Sequence, residues 1–203
     1  MIKTFGLLGM AFFSLLLSAQ SPRSAVGDEA HLWAGGEFSV VKDDWYCGTF
    51  DCNYLLFGPA VFFDLNLPKR IGIEGEGRWT DWHGIGNAKE SNLLAGPRYQ
   101  LFRSRRFDGW GKVLLGGGWL TSPGYPAPGS LKGSYFAFAP GATIDYALKN
   151  RWSLRGDFEY EIWPGFRGVP GYSPTGQYLP HDSPLSPSGF SVGVSYNILG
   201  PVR

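Results

Sequence analysis

The sequence predicts an all-β fold: an eight-stranded antiparallel up-and-down transmembrane β-barrel that follows a cleaved signal peptide. Three observations predict it. Apolar and polar residues alternate along the chain, the connections alternate between short and long, and the composition is poor in charge. Of the 203 residues, 17% are charged and 16% aromatic, with 30 Gly and 15 Pro. A soluble domain usually carries about 25% charged residues, so this composition favours β structure at a boundary between apolar surroundings and water.

The N-terminus has the three parts of a secretory signal peptide. Lys3 precedes an apolar run at residues 5–17, and small residues follow the run. A transmembrane helix is the alternative, but it needs roughly 20 apolar residues, more than this run offers. We therefore expect residues 1–20 to be removed after export, and residues 21–203 to form a single transmembrane β-barrel domain.

From Glu29 onward, alternating segments are separated by clusters of Gly, Pro, Asn and Asp, a pattern typical of strands and turns. The predicted strands are 29–42, 53–65, 70–82, 91–103, 110–121, 134–148, 152–163 and 187–199. The short connections are 66–69, 104–109 and 149–151, and the longer ones are 43–52, 83–90, 122–133 and 164–186. Short turns at one end and long loops at the other are typical of transmembrane barrels.

One register between the sixth and seventh strands satisfies both faces of their hairpin. If residues 149–151 form a three-residue loop, Leu148 faces Trp152. Counting back gives the pairs Tyr146–Leu154, Ala142–Phe158 and Phe138–Ile162 on one face, and Asp145–Arg155, Thr143–Asp157, Gly141–Glu159 and Ala139–Glu161 on the other. The second face joins opposite charges once and sets long acids against small partners. Because a slip of one residue would invert every side chain, this agreement supports the register.

The charged face of the strands is predicted to line the lumen, and the apolar face to meet lipid. A soluble barrel, the alternative, would reverse these faces. Aromatic residues near strand ends fit an interfacial belt: Trp79, Trp119, Trp152 and Tyr160. Frequent Gly and Ala on the charged face leave room for long side chains in a narrow interior.

The predicted lumen charges are Glu37, Glu74, Glu76, Arg78, Arg98, Lys112, Asp145, Arg155, Asp157, Glu159 and Glu161. Buried charges must pair with one another or meet water. We therefore expect an internal salt-bridge plug that lets a narrow barrel close. A gated or leaky pore is the alternative.

The last strand carries the most specific motif in the chain. A polar residue, a glycine, an aromatic residue and an apolar residue stand at Ser191, Gly193, Tyr196 and Ile198. This motif resembles the C-terminal assembly signal of the small outer-membrane β-barrel proteins, typified by the transmembrane domain of OmpA and by OmpX. It differs from the common signal because five residues follow Ile198 and none is a terminal Phe.

As a pattern, the resemblance to that family extends over the whole mature chain. It implies residence in a bacterial outer membrane, contact with outer-membrane lipids and lipopolysaccharide, and recognition by the barrel-insertion machinery during assembly. We expect a monomer. The net charge of +1, with no basic block, gives no indication of nucleic-acid binding.

Two cysteines, Cys47 and Cys52, would reach an oxidising compartment after export. A disulfide closing their short loop is therefore expected. A metal site is the alternative, although no second cysteine pair and no nearby histidine supports it.

His31 and His83 are predicted to be solvated surface residues, though His83 could join a surface metal site. We expect no metal and no cofactor.

One triplet keeps an enzymatic alternative open. His181, Asp182 and Ser183 match the His-x-Ser spacing of the lipid A deacylase family, which the chain also resembles in size. They lie in a Pro-flanked loop, however, whereas a nucleophile needs a base and an orienting group held in fixed geometry. We therefore expect no enzyme activity.

The predicted function is structural or concerned with surface interaction. The long loops carry aromatic residues, including Trp45, Tyr46, Phe50, Tyr172 and Tyr178. Such a rim suits surface recognition or lipopolysaccharide contact, and it also suits anchoring at the headgroup level. The alternatives are a lipid A-modifying enzyme and a narrow solute pore.

Overall fold

A computed structural model describes residues 30–42, 46–47, 50–51, 55–81, 88–123, 130–149, 151–166, 171–172, 178–179 and 185–200. Within these ranges, no helix has the length and apolar character needed to cross a membrane. The predictions for the signal peptide, Cys52, His83 and residues 181–183 lie outside them. So do the aromatic side chains of the predicted loop rim, and the side chain of Cys47.

Eight antiparallel strands form a closed up-and-down barrel, which confirms the predicted fold class. The strands are β1 (His31–Lys42), β2 (Leu55–Asn66), β3 (Ile71–Asp81), β4 (Lys89–Arg103), β5 (Phe107–Pro123), β6 (Ser130–Ala147), β7 (Trp152–Tyr160) and β8 (Ser188–Leu199). Each strand pairs with the next along the chain. β8 pairs with β1 at a seam, where the Ser39 and Ser191 hydroxyls lie 2.7 Å apart.

Some strand ends differ from the prediction. β5 was expected over residues 110–121 and β6 over 134–148, but their ladder continues as far as the pair Pro123–Ser130. Alternation of apolar and polar residues fades there, so the sequence pattern missed the extension. β7 ends at Tyr160 instead of residue 163, because the chain beyond it keeps only isolated bridges, including Phe138–Ile162.

The predicted register between β6 and β7 is confirmed. Asp145 pairs with Arg155, and Gly141 pairs with Glu159. The isolated bridge from Phe138 continues the same register beyond the ladder. The pattern on two faces of a pleated hairpin was therefore sufficient to fix the pairing.

The outer face of the barrel carries an apolar band between two sets of aromatic residues. Trp79, Trp119 and Tyr160 lie toward the end with the long connections, called here the loop end. Trp152 and Tyr196 lie near the other end, called the turn end, with ring centroids 5.0 Å apart. Trp152 and Tyr160 begin and end β7. At about 3.3 Å per residue and a tilt of about 40°, they are separated by about 20 Å along the barrel axis, close to the apolar height of an outer-membrane barrel.

Candidate functional site

The interior of the barrel holds the charged side chains. The structure directs the eleven charges predicted for the lumen inward, ten of them from strands and Glu161 from just beyond β7. Ten of them are 8% exposed or less. The eleventh, Asp145, lies toward the turn end, where its side chain is 17% exposed.

Lys112, on β5, lies at the centre of this charged network. Its Nζ is 2.7 Å from Glu74 Oε1 and 3.3 Å from Glu76 Oε2, both on β3. It is also 2.7 Å from Asp157 Oδ2 and 2.6 Å from Glu159 Oε1, both on β7. Ligand oxygens of Glu74, Glu76 and Asp157 lie within 4.8 Å of one another, close enough to hold a cation. The ammonium group of Lys112 supplies a positive charge to this carboxylate group.

Arg78 extends the network toward the loop end. Its guanidinium is 2.6 Å from Glu76, 2.5 Å from Glu159 and 3.2 Å from Glu161. Asn92 Nδ2 donates to Glu161 Oε1 at 2.6 Å. Arg78 and Asn92, on the neighbouring strands β3 and β4, therefore both donate to Glu161 from the wall that faces it, and buried charge here is hydrogen-bonded and paired.

Two arginines form the turn-end part of the network around one acid that sequence reasoning missed. Arg98 and Arg155 both contact Asp64 on β2. Arg98 lies over the ring of Trp110, 4.3 Å from its centroid, and Arg155 lies 3.7 Å from the centroid of Phe62. Guanidinium groups are attracted to aromatic faces, and more strongly when both are shielded from water. These inward rings therefore help to hold the two arginines.

The sequence did contain a signal for Asp64, namely its position in the alternation of faces along β2. β2 is almost entirely apolar, with Phe57, Val61 and Phe63 on its outer face. Asp64 lies on the opposite face, so strict alternation assigns it to the lumen. A second inward acid, Glu90 at the start of β4, is 1% exposed; it was missed because the connection before this strand was predicted to extend to residue 90.

An apolar cap fills the lumen at the loop end, which corrects the expectation that charges fill the interior throughout. Trp163, Phe166 and Leu185 lie inside the mouth of the barrel, each 4% exposed or less. They pack with inward residues of the wall, including Val41, Leu56 and Leu120. Since water is excluded there, apolar side chains are as well accommodated on the inner face as on the outer one.

The cap is joined to the charged network through Trp163. Its Nε1 donates to Glu161 Oε2 at 2.8 Å, and its backbone nitrogen donates to the Leu185 carbonyl at 2.9 Å. Tyr135 packs beside it, with ring centroids 5.9 Å apart. Trp163 is in phase with Glu159 and Glu161, and this phase was the sequence signal for an inward position.

We expect Gly118→Ala to destabilise the barrel by about 1–3 kcal/mol, the usual cost of overpacking. A Cβ at this position would overlap the indole ring of Trp163. Gly75→Ala is the matched control, because a Cβ there meets nothing within 4 Å. Urea titration in detergent micelles, followed by gel mobility, measures both variants. Equal midpoints would contradict close packing between Gly118 and the cap.

The four residues of the predicted assembly signal are divided between the two faces of β8. Ser191 and Gly193 point inward, and a Cβ at Gly193 would overlap the Glu37 side chain. Tyr196 and Ile198 are exposed on the outer face. Recognition of these residues by an insertion machinery stays a prediction.

The sequence matches no protein-family model, and no curated protein matches it. Solved structures do resemble it. Neisserial surface protein A aligns with 84% of this chain and 99% of its own, with a TM-score of 0.62 and 8% identity. The attachment invasion locus protein Ail of Yersinia pestis covers 85% and 100% of the two chains, with a TM-score of 0.52 and 18% identity.

A third structure, the outer-membrane protein OprG of Pseudomonas aeruginosa, covers 85% of this chain and 98% of its own, with a TM-score of 0.52 and 11% identity. The fold is that of the small eight-stranded outer-membrane β-barrels. At these identities the likeness concerns the fold alone, since one barrel architecture serves many functions. What the small barrel fold does in this chain therefore has to be argued from its own interior and surface.

Proposed function

We propose that the protein is a bacterial outer-membrane β-barrel, without enzymatic activity, that has a structural or surface-interaction role and a closed lumen. The apolar outer band with aromatic residues at both ends supports insertion in a membrane. The shared fold with known outer-membrane barrels is in accord with this placement. The turn end would then face the periplasm and the loop end the cell exterior.

One observation carries the closed lumen: ion pairs cross the barrel from wall to wall. Arg78 is on β3, and its partners Glu159 and Glu161 are on or just beyond β7. These strands are four apart in a closed sheet of eight, so they face each other across the lumen. Lys112, on β5, contacts Glu74 on β3 and Glu159 on β7. An eight-stranded interior is just wide enough to be filled by side chains.

The surface-interaction part of the proposal follows from this closure. If the interior carries no solute, the parts left for contact with other molecules are the loops and the outer wall. Loops carried on a rigid scaffold are where binding residues concentrate. Ion pairs between opposite walls make the barrel such a scaffold.

Cell fractionation tests the membrane placement. We expect the protein in the outer-membrane fraction and, on a gel, faster migration of the unheated sample than of the boiled one. Folded barrels resist mild detergent because every strand edge is paired. A soluble protein with no shift in mobility would contradict the proposal.

Planar-bilayer recording tests the closed lumen. We expect the purified barrel to insert without producing discrete conductance steps, because side chains from opposite walls occupy the interior. A heat-denatured sample of the same preparation controls for leakage caused by detergent. Regular steps from the folded sample alone would instead support the narrow-pore alternative.

A further inference from the structure

We propose that the turn end of the barrel binds the headgroups of anionic phospholipids in the membrane leaflet that meets it. The binding surface is a basic collar made of Lys69, Arg70, Arg103, Arg105, Arg106, Lys149 and Arg151. This inference rests on the proposed function, which places the barrel in a lipid bilayer. It adds a ligand class and a site.

The collar arises because all three short turns are basic. The turn from β2 to β3 holds Lys69 and Arg70, and the turn from β4 to β5 holds Arg105 and Arg106. The turn from β6 to β7 is flanked by Lys149 and Arg151. No acid occurs within residues 65–71, 101–107 or 146–152. The whole chain has a net charge of only +1, so the positive charge at this end is a local concentration.

Part of the collar charge is directed to solvent. Lys69, Arg70, Arg105 and Lys149 are exposed. Among the described residues, Arg103 is the collar member for which an ion pair is seen, with Asp108 at 3.2 Å.

The other contacts of the collar are with neutral groups. Arg106 donates to the Tyr146 hydroxyl at 3.0 Å. Arg151 donates to the carbonyls of Asn197 and Ile198 at 3.2 Å. Most of the collar charge therefore remains available for an external anion.

The backbone of the first turn gives an independent indication. Lys69 has φ 67° and ψ 29°, and Arg70 has φ 66°. Side chains other than Gly, Asn and Asp rarely adopt this left-handed region, because Cβ approaches the following carbonyl. A tight turn in this conformation favours Asn and Gly. Two consecutive long basic residues at such positions indicate a function that requires their charge.

A shallow apolar depression on the wall next to the first basic turn favours a lipid as the source of the anion. It is a shallow, open stretch of the outer wall, lined in part by Ile71, Pro97, Tyr99, Gly111 and Pro140. Ile71 directly follows the basic turn. A phospholipid has the matching combination of an anionic headgroup and an acyl chain, whereas free phosphate or an acidic protein has no chain for the depression.

The test compares two variants that remove the same charge from opposite ends of the barrel. The collar variant is Lys69→Asn, Arg70→Gly and Arg105→Gln. Asn and Gly suit the left-handed turn, so this variant is expected to fold at least as well as the parent. The control is Lys42→Gln, Lys89→Gln and Lys132→Gln, three exposed lysines toward the loop end.

Each protein is purified from bacterial membranes and placed in bilayer discs of equal phosphatidylglycerol and phosphatidylcholine. After mild detergent extraction, the retained lipids are counted by native mass spectrometry. Each basic residue near an anionic surface contributes about a fivefold change in affinity at low salt. We therefore expect about tenfold or greater loss of retained phosphatidylglycerol in the collar variant, and none in the control. High salt should remove the preference.

Equal retention of the two lipids by the parent protein, or full retention by the collar variant, would overturn the inference. Displacement of the lipid by inorganic phosphate or by an acidic protein at similar concentration would overturn its assignment to a phospholipid. The proposed function fails separately, if the parent protein does not insert into the discs or shows no heat-modifiable migration. An inserted, heat-modifiable barrel without lipid preference refutes the collar alone.

Discussion

Lys112→Met should lower the free energy of unfolding by about 3–5 kcal/mol, the usual loss when one partner of a buried ion pair is removed. Methionine nearly preserves the volume and length of the side chain but leaves Glu74, Glu76, Asp157 and Glu159 without their shared cation. Four buried carboxylates then face one another, and like charges at short range repel strongly where water is excluded. Urea titration of the folded band on a gel measures the loss.

Lys132→Met is the control for this prediction, because Lys132 is exposed near the loop end. Surface substitutions usually change stability by no more than about 0.5 kcal/mol. Adding Glu159→Gln to Lys112→Met should recover part of the loss, since it removes one of the repelling charges. If Lys112→Met alone were as stable as the parent protein, Lys112 would not be the centre of the network.

Trp163→Ala should lower the free energy of unfolding by about 3–5 kcal/mol, the range for truncation of a large buried aromatic residue. Trp163 is completely buried and packs with Phe166 and Leu185 inside the mouth. Its removal also takes a hydrogen-bond donor from Glu161. Urea titration measures the stability, and planar-bilayer recording measures whether the mouth opens into a path.

We expect this variant to remain non-conducting, because Arg78 still joins opposite walls beneath the cap. Trp119→Ala is the matched control: Trp119 lies toward the same end but is 46% exposed on the outer face. It should lose less stability than Trp163→Ala. Conductance steps from Trp163→Ala alone would assign the closure of the lumen to the cap and not to the ion pairs.

The sequence predicted the architecture well because a barrel wall has two faces that must both be satisfied. The pairs around Asp145 and Arg155 are compatible with one register between β6 and β7, and that register is observed. The same alternation was sufficient to assign inward charges such as Lys112. It could not show which of them meet, because contacts between Arg78 and Glu159 depend on how the sheet closes and not on position along a strand.

Two parts of the interior were missed for physical reasons. Asp64 is the lone acid in an apolar strand, so the sequence of that strand did not indicate a charged face. Trp163 is apolar on a face expected to be polar. The alternation of polar and apolar residues predicts which face meets water and which meets lipid. It does not predict an apolar region inside the lumen, where an apolar side chain is as stable as it is in lipid. The alternation places Asp64 and Trp163 on the inward face, but the contacts of Asp64 with the two arginines and the packing of the cap depend on how the walls meet.

The seam between β1 and β8 has a consequence for the order of folding. Seven of the eight strand pairings of the barrel join strands that follow each other in sequence, whereas Ser39 and Ser191 are 152 positions apart. The entropic cost of closing a loop rises by about 0.6 kcal/mol with each doubling of its length. Closing the seam therefore costs about 3 kcal/mol more than closing a turn of a few residues. The hairpins can therefore form early and locally, and we expect zipping of the seam to be the slow, final event of folding.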